Sequence, residues 1–163
     1  MKKSLVFLML LIMGFSQAQE KNNGTSYFLL NVGYANLNGN YFKLGPEFYL
    51  LNSKDWNIIG LSATANMAYF KDKFILIPEV GLAYHFNFLN TKANPYSSYM
   101  RATFYSARIN ASLWNITPEI GVNLLSLLEF TLGYSFEYQK NDYTNLEGLK
   151  LGVSLHLPTQ LFF

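Results

Sequence analysis

Residues Ile116 to Tyr138 read Ile-Thr-Pro-Glu-Ile-Gly-Val-Asn-Leu-Leu-Ser-Leu-Leu-Glu-Phe-Thr-Leu-Gly-Tyr-Ser-Phe-Glu-Tyr, two alternating runs that meet at a tight turn near Ser126. In the first run Ile116, Pro118, Ile120, Val122 and Leu124 share one face, and Thr117, Glu119, Gly121 and Asn123 share the other. In the second run Leu128, Phe130, Leu132, Tyr134, Phe136 and Tyr138 oppose Glu129, Thr131, Gly133, Ser135, Glu137 and Gln139. Side chains alternate between faces along a strand, so this period of two predicts a β-hairpin. One face is wholly apolar and the other is polar or small.

The same pattern extends in both directions. Strands are expected over Ser26–Ala35, Tyr41–Leu51, Trp56–Phe70, Phe74–Phe88, Ser98–Arg108, the hairpin pair, and Glu147 to Phe163. Strand five is the least regular; its polar face is expected to carry Arg101, Thr103 and Tyr105. Turns fall at Asn36–Asn40, with its Asn-Gly pair, at Asn52–Asp55 and at Lys71–Lys73. The longest break is Leu89–Ser97. No helical periodicity follows the first 18 residues.

Those first residues have their own logic. Met1-Lys2-Lys3 precedes an apolar run from Leu5 to Phe15 and then Ser16-Gln17-Ala18. A charged start, an apolar middle and a small-x-small site predict a secretory signal over residues 1–18. A transmembrane anchor would need about 20 apolar residues. Residues 19–25 form a polar lead-in, and 26–163 a single barrel domain. The chain has 12 Lys and Arg against 10 Asp and Glu. Losing Lys2 and Lys3 with the signal leaves the rest near neutrality, without the clustered basic surface a nucleic-acid partner requires. Cys is absent, which excludes disulfides, thiolate chemistry and a lipid-anchored cysteine.

The even strands repeat one another. Pro46-Glu47, Pro78-Glu79-Val-Gly81 and Pro118-Glu119-Ile-Gly121 share a pattern that the last strand continues as Leu149-Lys150-Leu-Gly152. Alternate strands of a meander run in the same direction. Copies at equal height would therefore place Glu47, Glu79, Glu119 and Lys150 in one interior ring, with Arg101 as a further partner. An eight-stranded barrel has room inside for side chains and little else, and buried charges need partners. A salt-bridged plug is accordingly expected ahead of a cation-binding pore. Pro46, Pro78 and Pro118 lie several residues into their strands, where bulges near the outer rim would accommodate them.

Eight strands with one apolar face allow two architectures: a soluble barrel with that face inward, or a membrane barrel with it outward. Charge is only 13% of the chain and aromatics are 17%. Turning the apolar face inward would leave an exterior of Gly, Ala, Ser, Thr and Asn, poorer in charge than soluble surfaces are. Trp56, Tyr69, Phe88, Trp114 and Tyr138 fall near strand ends, as interfacial girdles do. The fold expected is all-β, an eight-stranded antiparallel up-and-down membrane barrel closed by the C-terminal strand.

With Phe163 ending a stripe that includes Leu149, Leu157 and Leu161, the last strand looks like the closing strand that bacterial outer-membrane barrels present to their insertion machinery. With its signal and strand count, the chain resembles the small eight-stranded barrels of the OmpA and OmpX type. The resemblance implies a monomer in the outer membrane of a Gram-negative bacterium, with outer-membrane lipid and the insertion machinery as partners. It also implies periplasmic termini and short periplasmic turns. Leu89–Ser97 is long for such a turn.

No nucleophile elbow, phosphate loop or zinc-ligand spacing occurs, so no enzyme, cofactor or metal is expected. His85 and His156 sit half a barrel apart, awkwardly for shared ligation. The candidate outer connections are short, whereas adhesins and receptors usually recognise through long loops. Two alternatives stay open beside an envelope role: a narrow channel using the Glu/Lys ring, and a secreted soluble barrel carrying an apolar ligand.

Overall fold

A computed structural model describes residues 25–51, 57–70, 72–86, 103–125, 127–140 and 144–159. It contains eight strands: β1 (Thr25–Asn36), β2 (Asn40–Leu51), β3 (Ile58–Phe70), β4 (Lys73–Phe86), β5 (Phe104–Ser112), β6 (Asn115–Leu124), β7 (Leu128–Glu137) and β8 (Gly148–Pro158). Each pairs antiparallel with the next, and β8 pairs back onto β1 to close the barrel. The signal over 1–18, nearly all of the 19–25 lead-in, Leu89–Ser97, Arg101, Leu161 and Phe163 lie outside the described residues. The end where β1 begins and β8 finishes is the proximal end here; the end carrying the β1–β2, β3–β4, β5–β6 and β7–β8 connections is the distal end.

The expected faces hold for seven strands. Phe28, Phe42, Ile59, Val80, Ile120, Phe130 and Leu151 point outward and are exposed, while Asn31, Lys43, Glu47, Thr64, Glu79, Glu119 and Lys150 point into the lumen and are buried. Strand five is the correction. It continues past Arg108 to Ser112, its described span is Phe104–Ser112 with 98–102 of the expected strand outside the described residues, and its phase is reversed. Phe104, Ser106, Arg108 and Asn110 are buried, whereas Tyr105, expected on the polar face, is exposed outside. Residues 98–112 mix aromatic, aliphatic and polar types on both faces, so pairing decides. Opposite Glu79–Phe86 of β4 and Asn123–Ile116 of β6, only this register brings Arg108 inside among carboxylates. The stretch 87–102 between β4 and β5 lies outside the described residues. Three of the four distal connections, 37–39, 71–72 and 113–114, are tight.

The expected bulges at the prolines are also corrected. Around Pro46 the β2–β3 partners step from Leu44↔Ala65 to Glu47↔Ser62, and around Pro118 the β6–β7 partners step from Ile116↔Phe136 to Glu119↔Gly133. The register is the same on both sides of each gap, so no residue is inserted. Pro78 pairs toward β3 and lies just outside the β4–β5 ladder, which begins at Glu79↔Ser112. Pro46 and Pro118 each interrupt one ladder and Pro78 interrupts none, as residues with no N–H to donate can. Gly45 lets the chains close up beside Pro46, because a Cβ there would run into the Ala63 carbonyl.

One consequence of closure positions everything inside. Stepping from partner to partner, Leu51 leads through Ile58, His85, Ser106, Gly121, Thr131, Gly152 and Ala35 back to β2 at Tyr41, ten residues from the start. With about 3.3 Å per residue and about 4.8 Å between strands, this stagger tilts the strands by about 40° from the barrel axis.

The lumen is layered. At the proximal end Tyr27, Leu29, Tyr49, Leu51, Ile58 and Phe104 form a buried apolar cluster. At the distal end Ala35, Leu37, Tyr41, Ala68, Ile77 and Leu146 form a second, with Phe70, Ile75 and Trp114 packed against it. The polar side chains lie between these caps.

Candidate functional site

Glu47, Glu79, Glu119 and Lys150 are all buried in the lumen. They do not form one ring. The strand tilt separates positions that are equivalent in sequence, and the lumen holds two charge clusters at different heights.

The proximal cluster is a closed cycle across four strands. Arg108 on β5 donates from Nη1 to Glu47 Oε1 on β2 at 2.6 Å and from Nη2 to Glu129 Oε2 on β7 at 2.8 Å. His156 on β8 completes it, with Nδ1 2.5 Å from Glu47 Oε2 and Nε2 3.1 Å from Glu129 Oε2. Tyr49 donates its hydroxyl to Glu47, and Ser106 donates to Glu129 at 2.7 Å. Each carboxylate thus gains an ion pair and a neutral donor, which is what makes a buried charge tolerable.

The distal cluster is an open chain. Lys150 on β8 bridges Glu79 on β4 at 3.1 Å and Glu119 on β6 at 3.0 Å. Lys43 on β2 approaches the other oxygen of Glu79 at 3.4 Å, and Asn66 donates to Glu79 at 3.1 Å.

Among the described residues, the buried acids are Glu47, Glu79, Glu119 and Glu129, and the buried permanent cations are Lys43, Arg108 and Lys150. Four negative and three positive charges leave a deficit of one. His156 supplies it. Both of its ring nitrogens face carboxylate oxygens, which only accept, so both carry hydrogen and the ring is an imidazolium. His85 differs: its ring packs on Tyr49 at 4.9 Å between centroids, and Nε2 has no hydrogen-bond partner among the described residues. Among the described buried residues the charge is then balanced, four against four.

The sequence reading missed Arg108, Glu129 and Lys43 as members of these clusters. Glu129 and Lys43 stood on the polar faces of their strands, and that parity was the available signal. Arg108 was hidden by the wrong phase of strand five. With both His156 nitrogens engaged, a His85–His156 metal pair has no free ligand atom on one side. Among the described residues no group of three or more His, Asp or Glu is placed to hold a metal ion.

Little space remains inside. A cavity of about 10 Å³ lies between the clusters, lined by Lys43, Arg108, Glu119, Glu129 and Lys150. Another of about 20 Å³ lies beneath the distal cap beside Glu79, Lys150 and Tyr41. Each is the size of one water. The large concavities, about 770 Å³ each, are grooves on the outer wall around Ala107, Ile120 and Leu132. Comparison with known proteins finds no matching family model, no matching curated protein and no matching solved structure.

Proposed function

We propose that this chain is a non-enzymatic integral outer-membrane β-barrel with a sealed polar lumen, serving a structural role in a Gram-negative envelope. The observation that carries the reading is the inversion of polarity across the wall. A charge-balanced set of ion pairs sits inside between two apolar caps, and apolar side chains cover the outside. Water cannot cover such an exterior cheaply, since soluble monomers expose apolar patches of at most a few hundred Å². A bilayer core can, and a closed barrel leaves no strand edge unpaired within it. Outer-membrane lipid is the partner of this wall, with the insertion machinery acting during assembly on the C-terminal sequence that includes Leu157, Leu161 and Phe163. Export by the signal over 1–18 and a monomeric state complete the proposal.

The channel alternative is weaker because its Glu/Lys ring is divided between two clusters whose charges are paired within each cluster, and both clusters lie between apolar caps. The soluble carrier needs the apolar stripes inside, where the side chains are mainly Asn, Thr, Ser and paired charges. An adhesin or receptor is disfavoured by the tight distal turns at 37–39, 71–72 and 113–114.

Expression with the leader, envelope fractionation, and electrophoresis with and without boiling tests the proposal. The expected result is recovery in the outer-membrane fraction and a heat-dependent mobility shift. A monodisperse protein in detergent-free periplasm would overturn it.

A further inference from the structure

Among the described residues, three turns contain a non-glycine residue with positive φ: Asn38 at 51°, Asp72 at 62° and Leu125 at 55°. Asn and Asp visit this left-handed region readily because their short side chains bond locally, whereas Leu gains nothing from it. Asn38 and Asp72 lie at the distal end. Leu125 lies at the proximal end in the β6–β7 turn, and its side chain is 50% exposed. The residues on either side are held: Leu127 N–H donates to Leu124 O at 3.1 Å, and Leu127 O accepts from His156 N–H at 2.8 Å. A strained backbone conformation and an exposed apolar side chain both count against this residue in water, so its surroundings must return something.

The neighbouring residues indicate what. Leu124 prolongs the outward stripe of Ile116, Pro118, Ile120 and Val122, and Leu124 is itself exposed. From Ile120 to Leu128 the chain carries no charged side chain. The apolar outer wall therefore reaches Leu125 without meeting a charged side chain. The distal turns, by contrast, present Asn38 and the Asp72-Lys73 pair.

We propose that Leu124 and Leu125, at the β6–β7 turn, seat their side chains in the acyl layer of the proximal leaflet, while the turn backbone stays at the polar interface where its N–H and C=O groups keep partners. The occupant is lipid hydrocarbon, because Leu124 and Leu125 continue the apolar outer wall and no charged side chain lies between Ile120 and Leu128. The inference rests on the membrane reading above and extends it to a specific anchoring element.

The test uses the full barrel in phosphatidylcholine vesicles containing a nitroxide-labelled acyl chain. Single cysteines carrying an environment-sensitive fluorophore are placed at Leu125, at Leu151 on the outer wall and at Asp72. The expected result is that Leu125 is quenched to the extent of Leu151, with blue-shifted emission, while Asp72 is unquenched. Leu125 behaving like Asp72 while Leu151 is quenched would overturn the anchor and leave the membrane reading standing. Absence of quenching at Leu151 as well would remove both. Leu125→Asn supplies an independent sign. In an aqueous turn Asn suits the backbone better than Leu and raises the denaturation midpoint in vesicles. In an acyl layer its amide is desolvated and the midpoint falls. A fall is expected; a rise would overturn the proposal.

Discussion

The two charge clusters use the same chemistry and differ in how it is connected. In the proximal cycle each carboxylate bonds two cations and each cation bonds two carboxylates, with Tyr49 and Ser106 behind them. In the distal chain Lys150 is the hub, Glu119 depends on it for its ion pair, and Lys43 approaches only Glu79, at 3.4 Å. Connectivity, more than the number of charges, should decide what a lost partner costs. Breaking a buried pair leaves an uncompensated charge, whereas replacing a whole group with apolar side chains can be neutral.

The comparison can be broken most sharply at Arg108. Arg108→Met strips both Glu47 and Glu129 of their strongest partner, and an expected loss of about 3–5 kcal/mol would be read from urea unfolding of the barrel in micelles. Adding Glu47→Gln and Glu129→Gln should recover part of that loss. A triple variant less stable than the single one would mean that the cycle is not what Arg108 holds together. Lys150→Met comes next, at about 3 kcal/mol, because Glu119 loses its ion partner while Glu79 keeps Lys43 and Asn66.

Smaller effects sharpen the picture. Glu47 and Glu79 share no hydrogen-bonded or ion-paired side chain, so the costs of Glu47→Gln and Glu79→Gln should add within about 0.5 kcal/mol. Glu47→Gln and Glu129→Gln share Arg108 and His156, and a double-mutant cycle should give a coupling of about 1–3 kcal/mol. Strong coupling between Glu47 and Glu79 would show that the lumen is one network. Gly81→Ala should be the mildest change, at about 1 kcal/mol by the same unfolding assay. Its Cβ would meet only the side-chain ends of Asn110 and Ser62, which can shift.

How much of this was legible in the sequence depends on what fixes each feature. The face of a residue is set by its own strand, so Glu47, Glu79, Glu119, Lys150 and the outward stripes could be read from alternation. The height of a residue in the lumen is set by how the whole barrel closes. The ten-residue stagger belongs to no single strand, so the split between Glu47 and the distal trio had no local signal. Strand five failed for another reason: its alternation is mixed, and Arg108 looked like the end of a strand when it sits at the middle of one. The caps were half legible. Tyr49 stood on the expected polar face, and Tyr27, Leu29 and Leu51 share that phase. These four mark where the polar face turns apolar near the proximal strand ends.

The central claim is a lipid-facing wall around a sealed lumen, and one measurement addresses both halves. Nitroxide labels at Leu151, Val153 and Leu155 report the outer face of β8, and labels at Ser154 and Thr131 report the inside. Collision with oxygen marks lipid exposure, and collision with a water-soluble nickel chelate marks water. In vesicles the outer sites should collide freely with oxygen and hardly with nickel, and the inner sites should collide little with either. Nickel access at the outer sites would contradict the membrane wall, and nickel access at Ser154 and Thr131 would contradict the seal.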